Sequence, residues 1–182
     1  MARLAVLALY IAGIVANLGA GPAIVRWVGH HGLGGALRVG IPLGMGTGAL
    51  GLLYLVRVRW RERRVSRYLA LALLAAAVGW LLWILRRWPA EQMHLVQYGL
   101  LGPLAVWALA PFVPGFRVVP AAALLAAWVG LIDELIQGWL PTRYYDARDV
   151  WVNIAASALG IALCGLLVSA RRTRLTRAAG GR

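Results

Sequence analysis

Long apolar stretches recur along this chain, separated by short segments rich in Arg, Gly and Pro. The pattern predicts helices at roughly 3–25, 33–56, 68–86, 92–112, 118–138 and 148–170. Pro89, Pro111, Pro114, Pro120 and Pro141 fall in or near the breaks. Each run approaches the ~20 residues that cross a bilayer core. The expected fold is therefore all-α, a polytopic bundle of about six transmembrane helices. The second run carries Gly34, Gly35, Gly40, Gly44, Gly46, Gly48 and Gly51, small residues that permit close helix contact. Trp60, Trp88, Trp139 and Trp151 fall near predicted span ends, where interfacial aromatics belong.

Arginine placement sets an orientation. The 57–67 loop holds Arg57, Arg59, Arg61, Arg63, Arg64 and Arg67, and the tail holds Arg171, Arg172, Arg174, Arg177 and Arg182. Both clusters belong on the cytoplasmic side. Only an even number of spans puts both there, which gives an N-in/C-in topology. The loops at 87–91 and 139–147 then face outward. So do the start of the fourth helix, the end of the fifth and the start of the sixth.

Those same places carry most of the acids. Five of the six carboxylates are Glu91, Asp133, Glu134, Asp146 and Asp149. Asp133 and Glu134 end an apolar run, where an acid costs roughly 2.5–3.5 kcal/mol on insertion scales. Three helix ends also present polar pairs at i, i+4 spacing, so each pair shares a face. They are His94 with Tyr98, Asp133 with Gln137, and Asp149 with Asn153. Arg86, Arg87, Arg143 and Arg148 are the basic residues nearby, so five acids are expected to face four arginines in a buried network.

Composition narrows the class. Of the 182 residues 62% are hydrophobic, and the mean hydropathy is +0.74. That excludes a soluble domain. The net charge of +13 comes from nineteen basic residues, all Arg. They flank apolar spans, so the expected partners are anionic membrane lipids, met by the Arg-rich loop and tail, and not nucleic acid. Membrane-protein partners are also compatible with this chain. Cys164 stands alone mid-span, so no intrachain disulfide is expected. The first apolar run, with Arg3 ahead of it and Gly21 near its end, is read as a retained span and not a cleaved signal peptide.

The segment with Glu91, His94, Tyr98, Gly99 and Leu101 resembles the E-x-x-H-x-x-x-Y-G-x-L segment of the VanZ-like family of integral membrane proteins. Asp133, Glu134, Gln137, Pro141, Arg143, Asp149, Asn153 and Gly160 resemble that family's D-E-x-x-Q…P-x-R…D-x-x-x-N…G signature. Gln97 stands where comparable members often carry an acid, so no acid–base work is assigned to it. The resemblance implies a four-helix core at 68–170. Residues 1–67 would add two N-terminal helices and a basic cytoplasmic loop, and 171–182 a basic tail. It also implies residence in the cytoplasmic membrane of a bacterium. The family takes its name from a protein linked to low-level teicoplanin resistance, and that property does not transfer to this chain.

The site expected from these residues comprises Glu91, His94, Tyr98, Asp133, Glu134, Gln137, Arg143, Asp149 and Asn153. His94 fits either a site role or a hydrogen bond to Asp133 or Glu134. Arg143 fits either a clamp on a ligand phosphate or carboxylate or a fork to Asp133 or Asp149. Asp133 and Glu134 diverge by ~100° around their helix, so one can face a cavity while the other holds the loop. Asp146 is assigned mostly to capping the sixth helix. His94, Asp133, Glu134 and Asp149 could together meet a metal, but no metal set is assigned, because the cluster holds a single His and no H-E-x-x-H occurs. No nucleophile stands out either, since Ser157 and Cys164 have no base nearby. No cofactor is assigned and the enzyme question stays open. Two functions fit. One is a cell-envelope membrane protein whose outward polar pocket binds a polar or anionic, lipid-linked headgroup. The other is a non-catalytic subunit of a larger membrane complex, with a structural ion network and with His94, His30 or His31 contacting a pigment.

Overall fold

The computed structural model describes residues 1–141 and 143–179. It contains α1 (Ala2–His30), α2 (Gly34–Tyr54), α3 (Val65–Ile84), α4 (Pro89–Leu109), α5 (Val118–Trp139) and α6 (Ala147–Ala179). There are no strands among the described residues. Arg182 lies outside the described residues, as do the side chains of Arg172, Arg174 and Arg177.

Local chemistry fixes the ends that matter. Pro89 opens α4, a position whose amide would lack a helical partner anyway. Leu140 is extended at the end of α5 because Pro141 follows it. Asp146 Oδ1 accepts a hydrogen bond from the Arg148 backbone N–H at 2.8 Å, which caps α6 as its sequence position suggests. Two boundaries differ most from expectation: α6 runs on to Ala179, and α1 runs on to His30, past Pro22. Membrane helices tolerate such prolines when neighbouring groups satisfy the backbone.

Five helical segments are long and apolar enough to cross a membrane: Ala2–Gly21, Gly34–Arg59, Val65–Arg87, Gly115–Trp139 and Ala147–Arg171. Helix α4 is not among them. Its first half carries Glu91, Gln92, His94 and Gln97, which lowers its hydropathy. It is nevertheless an inner helix, packed against α1, α2, α5 and α6. Its polar residues face protein, and its 21 residues span roughly 31 Å.

Polarity is inverted relative to a soluble protein. Leu9, Leu43, Leu50, Leu73, Leu124 and Trp128 are exposed, whereas Glu134 and Asn153 are fully buried. The interior is built from small residues. Ala105 and Ala108 of α4 and Ala122 and Ala126 of α5 are all fully buried. Helices α4 and α6 approach closer still. A methyl on Gly160 would strike the Gly99 carbonyl, and one on Gly102 would strike the Ser157 carbonyl. Proline explains the first contact. Pro103 has no N–H to give the Gly99 carbonyl one turn back, and Gly160 brings α6 against that carbonyl and the Pro103 ring. Close approach of this kind suits helices that cannot rely on a hydrophobic driving force between them.

The Arg-rich segments share one end of the bundle. Arg67, at the start of α3, donates to the Ser169 carbonyl, near the end of the Ala147–Arg171 span of α6, at 3.1 Å. Arg3 donates to the Trp107 carbonyl near the end of α4 at 3.3 Å. At this end the buried Glu62 pairs with Arg67. Its Oε1 also accepts the backbone N–H groups of Arg63 and Arg64 at 2.9 and 3.0 Å.

Candidate functional site

The opposite end gathers the expected residues from three helices and one loop. Helix α4 supplies Glu91, His94 and Tyr98, and α5 supplies Asp133, Glu134 and Gln137. The 140–146 connection supplies Arg143, and α6 supplies Asp149 and Asn153. The Gly99–Gly160 contact sets how near α4 comes to α6. It lies between one and two turns inward from the His94–Asn153 pair, on the same two helices.

The nine residues divide into two adjacent sets. In the inner set, Tyr98 Oη donates to Asp133 Oδ2 at 3.0 Å. His94 Nδ1 lies 3.1 Å from Asn153 Oδ1 and 3.8 Å from Asp133 Oδ2. The His94 and Tyr98 rings are parallel, with centroids 6.0 Å apart. Gln137 Nε2 donates to Glu134 Oε1 at 3.0 Å, and Arg143 Nη1 donates to Gln137 Oε1 at 3.3 Å. The Asp146 backbone N–H donates to Glu134 Oε2 at 3.4 Å. Glu134 therefore holds the loop while Asp133 reaches α4. Their carboxylates do not part company, however. Ligand-capable atoms of His94, Asp133 and Glu134 all lie within 4.8 Å of one another.

The outer set is built on Arg148. Its Nη2 donates to both Glu91 oxygens at 2.8 and 2.9 Å. It also lies 3.4 Å from Asp146 Oδ2, and its Nε lies 3.7 Å from Asp149 Oδ1. Its guanidinium stands over the Trp88 ring. Glu91 and Asp149 thus belong to this ion cluster, and Asp149 shares no bond with Asn153 although both lie on one face of α6.

The arginines are not shared as the sequence suggests. Arg86 folds back on Trp83, donating to its carbonyl and covering its ring. Arg148 has three carboxylates, and no carboxylate lies within ion-pair distance of Arg143 among the described residues. The fork from Arg143 to Asp133 or Asp149 is not formed. Asp133 and Glu134, 2% and 0% exposed, likewise have no arginine within that distance. Several buried polar atoms have no hydrogen-bond partner among the described residues: Asp133 Oδ1, Asn153 Nδ2, Arg143 Nε and Asp149 Oδ1. Buried polar atoms of native proteins are almost always bonded, and here two donors and two acceptors lie at one end of the bundle.

Three contributors were not expected from sequence. Gly21 of α1, with Asn17 one turn before it, lies against Arg143. A methyl on Gly21 would lie 3.3 Å from Asn17 Oδ1 and 3.6 Å from Arg143 Nη2. Asn17 is the one side-chain amide in α1, amid an apolar stretch between Tyr10 and Arg26, a signal that was available. Gln92 is 1% exposed and donates weakly to the Leu85 carbonyl at 3.4 Å. It lies among more obvious polar residues and had no such signal.

The residues that build both sets fall inside one matched stretch. The VanZ/LLP1 family model matches residues 71–168, more than half of the chain. The chain belongs to the VanZ/LLP1 family. That match nearly coincides with the 68–170 core expected from the motifs. No curated protein and no solved structure matches the chain. Family membership together with the apolar helices makes this a VanZ-like membrane protein.

Proposed function

We propose that this VanZ-like chain crosses the bacterial cytoplasmic membrane six times, N-in/C-in, and binds an anionic, lipid-linked headgroup at its outward end. The gathering of Arg67, Ser169, Arg3 and Trp107 at one end supports the topology, because dense arginine favours the cytoplasmic side. With α4 counted as an enclosed span, the segment total is even. The Arg-rich loop and tail then meet anionic lipids of the inner leaflet.

Arg143 carries the binding reading. From the 140–146 connection it reaches Gln137 of α5 and Gly21 of α1, yet holds only a glutamine oxygen. A guanidinium with no carboxylate in ion-pair range among the described residues is a fit for phosphate or carboxylate, which it grips with parallel hydrogen bonds. Gly21, beside it, ends the first candidate span, which is the depth of a lipid headgroup. The test is lipid retained by the detergent-purified protein, read by native mass spectrometry. Charge-assisted contacts contribute about 1.5–3 kcal/mol, so Arg143→Gln is expected to lower anionic-lipid retention by about tenfold or more. Arg143→Lys is expected to restore only part of it. Full retention by Arg143→Gln sinks the reading.

A second reading has its own observation. Gly40, Gly44 and Gly48 repeat at i, i+4 on α2, and a methyl on any of them would meet nothing within 4 Å. Such a bare face suits close packing by another membrane helix, as an accessory subunit of a larger complex needs. A subunit would co-purify stoichiometrically with other chains. A headgroup-binding protein would purify alone with lipid.

A further inference from the structure

We propose that His94, Asp133 and Glu134 bind one divalent metal ion of the zinc or manganese type, with Asn153 Oδ1 completing the set. Ligand-capable atoms of the first three lie within 4.8 Å of one another, and all three residues are buried. His94 Nδ1 is 3.8 Å from Asp133 Oδ2 and 3.1 Å from Asn153 Oδ1. Ligands held about 2.1 Å from one ion stand about 3.0–3.4 Å apart. Small side-chain rotations therefore close this set around a single centre.

Charge and hydrogen bonding point the same way. Two carboxylates lie at 2% and 0% exposure with no arginine in ion-pair range among the described residues. A divalent cation neutralises both at once, where a buried ion otherwise carries a desolvation cost of several kcal/mol. Asp133 Oδ1 is buried and has no hydrogen-bond partner among the described residues, so this acid has acceptor capacity to spare. The proposed ligands are also held from behind. Tyr98 donates to Asp133, while Gln137 and the Asp146 N–H donate to Glu134. Bonds of this kind orient metal-binding carboxylates and are part of their affinity.

One imidazole with several oxygens suits zinc or manganese better than the all-oxygen shells of calcium and magnesium. With the ion on Nδ1, the imidazole stays neutral and carries its proton on Nε2. Both carboxylates are then ionised. Asn153 Oδ1, 3.1 Å from His94 Nδ1, then faces the same ion. The inference shares a cluster with the headgroup reading but does not rest on a lipid, because Arg143 is not a ligand.

The test uses the full chain in detergent, stripped with EDTA and titrated separately with Zn2+ and Mn2+ by calorimetry. Metal content is checked by mass spectrometry. One ion per chain is expected. Glu134→Gln and His94→Gln are each expected to weaken binding at least about tenfold, with size-exclusion profiles like the parent's. The His30→Gln/His31→Gln double variant is expected to keep full affinity. Absence of saturable binding overturns the proposal, as does loss of the ion in the double variant or retention in both ligand variants. X-ray absorption of the zinc-loaded parent protein needs no variant: one imidazole among oxygen ligands is expected, and two or more imidazoles overturn the assignment. Arg143→Gln separates the two ideas, since it should keep the ion even while losing the lipid.

Discussion

Each end of this bundle buries an acid, and the two ends treat it differently. At the arginine-rich end Glu62 is 2% exposed, is paired with Arg67 and also takes two backbone N–H groups. Arg67 in turn holds the Ser169 carbonyl of α6. At the other end Asp133 and Glu134 are buried just as deeply, but their bonds come from Tyr98, Gln137 and a backbone N–H. The first arrangement has matched its charge and serves as a staple between the 57–67 loop, α3 and α6. The second satisfies shape and part of the hydrogen bonding and leaves charge unmatched. The proposed ligand role of Asp133 and Glu134 rests on that difference.

The comparison breaks most visibly at Glu62. Removing one member of a buried ion pair strands the other, at about 3–5 kcal/mol. Glu62→Gln is expected to give the largest loss of thermal stability of any carboxylate-to-amide change in the chain, read by unfolding in detergent. An unchanged melting temperature would mean that the Glu62–Arg67 pair is not a staple.

Gly160→Ala probes the scaffold that brings α4 to α6. The added methyl collides with the Gly99 carbonyl, and overpacking of this kind costs about 1–3 kcal/mol. The helices must separate, so metal and lipid binding are expected to fall along with stability. A fully stable variant with intact binding would show that the close approach does not set the site.

The smallest stability effect is expected at Glu134. In EDTA-stripped protein, Glu134→Gln keeps the shape and an oxygen for Gln137, and removes an unmatched buried charge. Its melting temperature is expected to stay within the equivalent of about 1 kcal/mol of the parent or to rise. A collapse on the scale expected for Glu62→Gln would make Glu134 a structural residue like Glu62.

Much of this was legible in the sequence. Apolar run lengths located the helices, and the i, i+4 spacing of His94 with Tyr98 and of Asp133 with Gln137 identified the faces that meet. Asp146 as a cap followed from its position alone. Other features were not legible. Five acids against four arginines suggested balanced pairing, but Arg86 turned back on its own Trp83 and Arg148 took three acids. Glu62 looked unremarkable among the arginines around it.

The sequence by itself determined where the chain is helical, which helix ends are polar and to which family it belongs, because each depends on residues close along the chain. Only the tertiary structure decided which charge meets which. It set Arg148 against Glu91, left Arg143 beside Gly21, and drew His94 to Asp133 and Asn153. Those choices depend on angstrom-scale distances between helices. The distances follow from contacts such as Gly99 with Gly160, sixty-one positions apart, which no local pattern encodes.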